Sequence, residues 1–268
     1  MKKWGKTIMV VFGALIVTAL GIDAADTVGG AKGTLLSQII SSERGVCPSG
    51  MTEVNAIPNV TCVDTYETSV GSGCPVANPE QIVATKKNLE ESKCLAESKE
   101  DTLPWRFITR DQAMQMCARS GKRLPTSEEW YALSLGMANV EKNCNVTSKN
   151  VSKSGSFLDC RAPSGAYDLV GNVWEWVSDD VINGNYKGVK IPNTGYVAQV
   201  DSSGMATVVS QEPQELFEKD YFWSHADGAF GIIRGGYYDS GSDGGLYAVH
   251  ADTPPTTAGT GIGFRCIK

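Results

Sequence analysis

Two short strand-like segments near the C-terminus, Ile232-Ile233-Arg234-Gly235-Gly236 and Ile262-Gly263-Phe264-Arg265-Cys266, bracket a run dominated by small, polar and aromatic residues. Ile232 with Arg234, and Ile262 with Phe264 and Cys266, fall on period-two positions, as side chains on one face of a strand do. The paired glycines after Arg234 provide a tight turn. The bracketed run reads as loop. A rigid frame around a variable filling is a common setting for recognition, because side chains there change without disturbing the core.

Helix signals lie upstream. Thr109-Arg110-Asp111-Gln112 is a capping box, with the threonine hydroxyl placed to accept from the third helical amide and the glutamine reaching back to the cap. A helix to Ser120 is expected, with Ala113, Met116 and Cys117 on one face and Gly121 as the left-handed residue that ends it. Thr126-Ser127-Glu128-Glu129 repeats the device for a second helix that buries Trp130 and Leu133 and stops near Gly136. Trp174 and Trp176 alternate along a strand, as core in one reading and as an aromatic carbohydrate platform in the other. The segments 142–160 and 181–222 lack clear periodicity and read as loop insertions. Two helices in a chain rich in Gly, Pro, Ser and Asn imply an irregular, loop-rich α+β domain.

The chain has 268 residues, 41% hydrophobic and 20% charged, which suits one large domain or two small ones. Its formal charge is −6, and Lys2, Lys3 and Lys6 sit in the leader, so the remaining body is more acidic still. Such a body repels phosphate backbones and argues against nucleic acid as a partner. The eight cysteines include no C-x-x-C pair and the chain has two histidines, His225 and His250, so no metal site and no cofactor is expected. An even cysteine count behind an apolar leader fits a disulfide-bonded, extracytoplasmic protein. Proximity favours Cys47 with Cys62, Cys74 with Cys94, and Cys144 with Cys160, although spacing alone does not fix connectivity.

Residues 1–22 carry lysines followed by the uncharged run Thr7 to Ile22, a charge asymmetry that places the N-terminus inside and the body outside. A helix over that run reaches about 24 Å, short of the ~30 Å hydrocarbon core. Signal peptide and membrane anchor therefore both stand as readings, giving a secreted or an anchored cell-surface protein. Residues 23–45 read as a stalk or short helix, with Leu35, Leu36, Ile39 and Ile40 at helical spacing behind Gly29, Gly30 and Gly33. A pilin-like N-terminal helix is a further variant, disfavoured by the glycines. The sequons at Asn59, Asn145 and Asn150 carry little weight without the host.

A resemblance joins these pieces. Met51-Thr52-Glu53-Val54 and Cys62-Val63-Asp64-Thr65-Tyr66-Glu67, the helix-G-K-R-L-P-T-helix stretch Ala113 to Trp130, the box Gly165-Ala166-Tyr167-Asp168-Leu169-Val170-Gly171-Asn172-Val173-Trp174-Glu175-Trp176, and the R-G-G to G-F-R-C frame resemble, in order, the formylglycine-generating enzyme family. That family is a variant of the C-type-lectin fold, and the likeness covers residues 46–268. It implies a bridge between Cys117 and Cys266. It also favours Arg123 as the partner in a structural ion pair over a ligand contact, and raises Asn172 and Glu175 as oxygen ligands for calcium, which needs six or more oxygens.

The enzymes of that family hold copper through a cysteine pair shortly after the R-G-G turn, thiolates being suitable Cu(I) ligands. Here the corresponding stretch, Tyr237 to Asp243, has no cysteine. A triad of Ser240 or Ser242 with His250 and Asp252 lacks any nucleophile elbow. An enzyme is therefore not expected. Instead Tyr237, Asp239, Ser240, Asp243, His250, Asp252, Thr253, Thr257, Gly259 and Gly261 are of six kinds, each with a codon that differs from an asparagine codon only at its adenines. This resembles the variable proteins of diversity-generating retroelements, whose lectin-fold members end in a repeat of the form R-G-G-N-W-N-N-G-x-N-x-G closing on I-G-F-R-C. Tyr238 departs from the tryptophan of that repeat. The resemblance implies a diversified binding surface in the region 232–266 for a protein or glycan ligand, with Tyr237, Tyr238, Tyr247 and His250 as anchors and Asp239, Asp243 and Asp252 tuning charge. Tyr, Ser, Gly and Asp are also what adaptable binding loops use. The rivals are an oxidase working by an unusual route and a structural, pilin-like envelope subunit.

Overall fold

The computed structural model describes residues 47–268, so the leader and stalk expected at 1–22 and 23–45 lie outside the described residues. Pro48–Lys268 forms one compact unit. It opens with a hairpin of β1 (Met51–Glu53) and β2 (Cys62–Asp64), the two opening strands expected from sequence. A second small pair, β3 (Thr68–Val70) and β4 (Ala96–Ser98), flanks α1 (Ile82–Glu90). That helix escapes a hydrophobic-period reading because its buried side chains are Thr85 and Asn88, while Ile82 and Val83 are exposed. Asn88 earns its burial by bonding the backbone of Val76 in both directions, N–H at 2.9 Å and C=O at 2.8 Å.

The two capped helices follow as expected. α2 (Arg110–Arg119) begins at a complete capping box on Thr109, and α3 (Ser127–Ser134) at another on Thr126. Gly121 takes φ 67° just past the first of them. Trp130 and Leu133 are fully buried. A short turn of helix, α4 (Val140–Asn143), comes next.

The rest of the chain builds a nine-stranded sheet. Its strands are β5 (Trp174–Ile182), β6 (Asn185–Tyr186), β7 (Val189–Lys190), β8 (Gly195–Val200), β9 (Ala206–Ser210), β10 (Tyr221–Ser224), β11 (Ala229–Arg234), β12 (Val249–Thr253) and β13 (Ile262–Phe264). They run in the order β7-β6-β5-β11-β12-β10-β8-β9, with β13 also on β5. The frame is thus real: β11 lies antiparallel to one side of β5, and β13 lies parallel to its start, Ile262 level with Trp174.

Two expectations are corrected. Residues 181–222 are not a loop insertion: they supply four strands, and β8 joins the main sheet by pairing with β10. The bracketed run is not loop throughout either, since Val249–Thr253 is an inner strand between β10 and β11. Its alternation is genuine, with Val249, Ala251 and Thr253 buried and His250 and Asp252 half-buried on the other face. Small residues and charges on so short a strand dilute the period-two signal.

Two apolar cores sit on the sheet. One gathers Trp130, Leu133, Val177, Phe222, Ile232, Val249 and Ala251, and the other Trp105, Ile108, Met116, Trp176, Ile233 and Phe264. Disulfides tie the periphery to them: Cys74–Cys94, Cys117–Cys266 and Cys144–Cys160, three of the expected pairs. Cys47 and Cys62 are disulfide-bonded as well.

Candidate functional site

The face in question begins where β11 ends. Gly235 and Gly236 have φ 93° and 90°, and a Cβ on Gly235 would stand 2.3 Å from the Leu169 carbonyl oxygen, so glycine is required there. Beneath them Arg234, fully buried, donates to Ser127 Oγ at 2.7 Å and lies over the rings of Trp130 and Tyr131. The chain then turns through Tyr237, whose amide donates to Ser240 Oγ at 2.9 Å.

From this turn the expected residues separate into groups. His250 and Asp252 share the open face of β12, joined by a 3.0 Å contact between Nδ1 and Oδ1 that orients the imidazole. Cross-strand neighbours in register place Trp223 of β10 and Ile233 of β11 on either side of His250. The Trp223 ring stacks on the imidazole at 4.0 Å and 8°, and Trp174 meets it edge-on at 5.0 Å. The row continues outward through Tyr221, 4.8 Å from Trp223, to Tyr196, 4.8 Å from Tyr221.

Tyr237 and Tyr238 form a second patch, ring to ring at 4.9 Å. Tyr237 packs against the same core as Trp223 and Ile262, and its ring covers Gly261, whose carbonyl accepts from the Trp174 amide. Burial first, then Asp239 and Tyr238, push its phenol up. Tyr238 Oη lies 3.5 Å from Thr260 Oγ1, which in turn accepts from Arg106 Nη1 at 3.2 Å. Asp239 is exposed, and Thr257 and Gly259 are half-exposed on the loop between β12 and β13. That loop is held down by Phe107 N donating to Gly259 O and Arg110 N donating to Pro255 O.

Five expected site residues stand apart. Thr253 is buried at the end of β12 and Gly261 is buried under Tyr237. Ser240 is occupied in holding the turn. Tyr247 does not join the other anchors: it packs on Tyr131 and Phe217 against the opposite core, its amide donating to Asp220 Oδ2 at 2.6 Å. Asp243 is half-buried, its carboxyl pushed up by burial. Sequence reasoning missed Tyr196, Tyr221, Trp223 and Arg106. Tyr221-Phe222-Trp223 carried a usable signal, since Phe222 is buried and the two flanking rings are partly open, but the run straddled the end of a segment read as loop.

Other sequence readings resolve as follows. Arg123 forms the expected structural pair, its two terminal nitrogens each donating to Glu129 at 2.6 Å. Both tryptophans are core: Trp176 is fully buried with its indole N–H donating to Ile108 O, and Trp174 is buried beside His250. Asn172 and Glu175 are taken up by protein partners: Asn172 bonds Asn145, Ser152 and Glu67, and Glu175 pairs with Arg265 at 2.8 Å and accepts from Trp130 Nε1. Among the described residues no three His, Cys, Asp or Glu side chains are grouped to hold a metal ion. Ser242 lines a shallow cavity of about 210 Å³ with Glu141, Glu215 and Glu218, and Ser240 holds its own turn, so neither serine completes a triad with His250.

A mixed helix and sheet head of this topology, stapled by disulfides, is a C-type-lectin-like fold. The sulfatase-modifying factor enzyme 1-like domain matches residues 60–268, and the chain belongs to that family, whose fold is the formylglycine-generating-enzyme type. Among curated proteins, a serine/threonine-protein kinase, pkn1 of Chlamydia pneumoniae, is 28% identical over 159 residues, covering 55% of this chain and 21% of that protein. The chain thus spans about a fifth of that relative's length. Solved structures of similar shape include the Major Tropism Determinant P3c variant, with 17% identity, a TM-score of 0.46 and coverage of 84% of this chain and 53% of that one. Treponema denticola variable protein 1 gives 15% identity and a TM-score of 0.40, over 62% of this chain and 70% of that one. PvdO from Pseudomonas aeruginosa gives 16% identity and 0.41, over 81% and 89%.

Proposed function

We propose that this chain is a displayed ligand-binding protein, diversified by a retroelement at its C-terminal residues and gripping protein or glycan targets instead of transforming them. The observation that carries the reading is the placement of codon-compatible residues. Tyr237, Asp239, His250, Asp252, Thr257 and Gly259 are at least partly open to solvent, on a frame of β11, β5 and β13 locked by Cys117–Cys266. Side chains on such a face are replaceable without repacking the core. Disulfides agree with an oxidising compartment, and the N-terminal leader is then the export signal or the anchor.

The family also contains enzymes, and the oxidase alternative rests on free thiols. Every cysteine of the chain is disulfide-bonded, which supports binding over that chemistry. Two experiments test the reading. Inspection of the neighbouring DNA should find a template copy of the 232–266 repeat, differing at adenines, and a reverse-transcriptase gene; finding neither removes the diversification argument. Copper titration of the disulfide-bonded protein with oxygen-uptake measurement should give no stoichiometric binding and no turnover; the opposite result restores the oxidase.

A further inference from the structure

Arg106 is 6% exposed, yet no carboxylate among the described residues lies within ion-pair distance of it. Its acceptors are neutral and long: Thr260 Oγ1 at 3.2 Å and Asn78 Oδ1 at 3.4 Å. Its Nε is buried without a hydrogen-bond partner, and its Cζ lies 5.9 Å from the centre of the Phe107 ring. Glu80 and Glu67 act on it only through space, and burial lowers its pKa. Four other guanidinium groups in the head have stronger company. Arg265 bonds Glu175, Arg110 bonds Asp180, Arg123 bonds Glu129, and Arg234 has three oxygen acceptors and two aromatic rings. An arginine held out of water without an anion is costly, because desolvation is not offset by a counter-charge.

Position gives that cost a use. Arg106 lies at the foot of exposed Thr260 and half-exposed Tyr238, beside the loop that carries Thr257 and Gly259. It lies outside the stretch 232–266, so adenine-directed change does not reach it. We infer that Arg106 is an undiversified anchor for a carboxylate on the ligand, with the Tyr238 and Thr260 hydroxyls at its rim. This rests on the binding reading of the face and adds its ligand chemistry: an anionic group at the Tyr238 end. Guanidinium suits the task, since its planar fork meets a carboxylate with two parallel hydrogen bonds where an ammonium offers a point charge.

Carboxylates of two sources share that chemistry, an acidic sugar and an acidic side chain. The test titrates the disulfide-bonded chain with galacturonate and with N-acetylglutamate amide, using galactose and N-acetylglutamine amide as neutral controls. Binding is read by calorimetry and by the Arg106 Nε–Hε signal in nitrogen-15 NMR. At least one carboxylate should bind and shift that signal, its neutral counterpart should not, and the responding probe identifies the source. Arg106→Gln should weaken binding by about tenfold or more, the loss of one charge-assisted contact. Arg106→Lys should fall between, and Val189→Ala, at an exposed side chain on the edge strand β7, should retain binding. Unchanged circular dichroism in the lysine and alanine variants keeps the comparison valid if the glutamine variant misfolds. Neither carboxylate binding, or binding that Arg106→Lys leaves untouched, overturns the inference. Because Arg106 is not diversified, such a failure leaves the template-repeat test standing, and a missing template leaves an Arg106 carboxylate site measurable.

Discussion

At the scale of residues, the face divides into positions the fold leaves free and positions it constrains. A Cβ on Gly259 would meet nothing within 4 Å, whereas one on Gly261 would come within 2.6 Å of the Tyr237 ring. Both glycines are codon-compatible, and codon logic cannot tell them apart. Gly259→Ser should therefore change stability by no more than about 0.5 kcal/mol, while Gly261→Ser should cost about 1–3 kcal/mol as the ring is displaced. Urea denaturation of the two variants compares them directly. Asp220 makes a second residue-level prediction. It is almost fully buried beneath the Tyr247 amide, and burial, offset in part by that amide, Arg234 and the Ala248 amide and reinforced by Glu218, pushes its carboxyl up to about 8. The folded state then holds a proton that the unfolded chain releases near 4. The stabilisation is complete below that value and is lost as pH rises through about 8, so stability should fall across this window. Asp220→Asn, which mimics the protonated form, should flatten the decline and leave the variant more stable than the parent at pH 9 by chemical denaturation.

At the scale of elements, what was legible in the sequence followed from local chemistry. Thr109 and Thr126 announce their helices because a capping box is complete within four residues. Trp174 to Trp176 and the R-G-G frame announce strands because both faces are buried at the start of β5 and the end of β11, where the apolar residues are dense. The elements missed fail for identifiable reasons. Helix α1 buries polar side chains, and β12 alternates small residues with His250 and Asp252. The segment up to Phe222 reads as loop because Tyr196 of β8 and Tyr221 of β10 lie half-open along one sheet face, which weakens the apolar signal around buried Phe222. The proposed site suffered accordingly: its codon-compatible residues were read from the sequence, and the aromatic row on β8 and β10 was not. One element-level prediction concerns the Cys117–Cys266 bond, which joins α2 to the chain just beyond β13 across 149 residues. Closing so long a loop restricts the unfolded chain, so Cys117→Ser with Cys266→Ser should cost about 4–5 kcal/mol in the chain-entropy view. The melting temperature and urea midpoint of the double variant measure it, and an unchanged midpoint would mean that the sheet holds β13 without the staple.

At the scale of the whole molecule, the question is whether recognition and folding are carried by separate sets of residues. The two cores are built from residues such as Trp130, Trp176, Phe222 and Phe264, none of them in the codon-compatible set. Asp239, His250, Asp252 and Thr257 contribute mainly to the surface, with one exception: the imidazole of His250 stacks on Trp223 and meets Trp174. Aromatic contacts of this sort are worth about 0.5–1.5 kcal/mol beyond the area they bury. Replacing Asp239, Asp252 and Thr257 together by asparagine, the residue from which adenine changes would have produced them, should leave the denaturation midpoint nearly unchanged. Adding His250→Asn should lower stability by about 1 kcal/mol, with near-ultraviolet circular dichroism reporting the altered surroundings of Trp223. If the triple replacement instead unfolds the head, the fold and the proposed binding face share their residues, and a diversified face could not have varied without losing the protein.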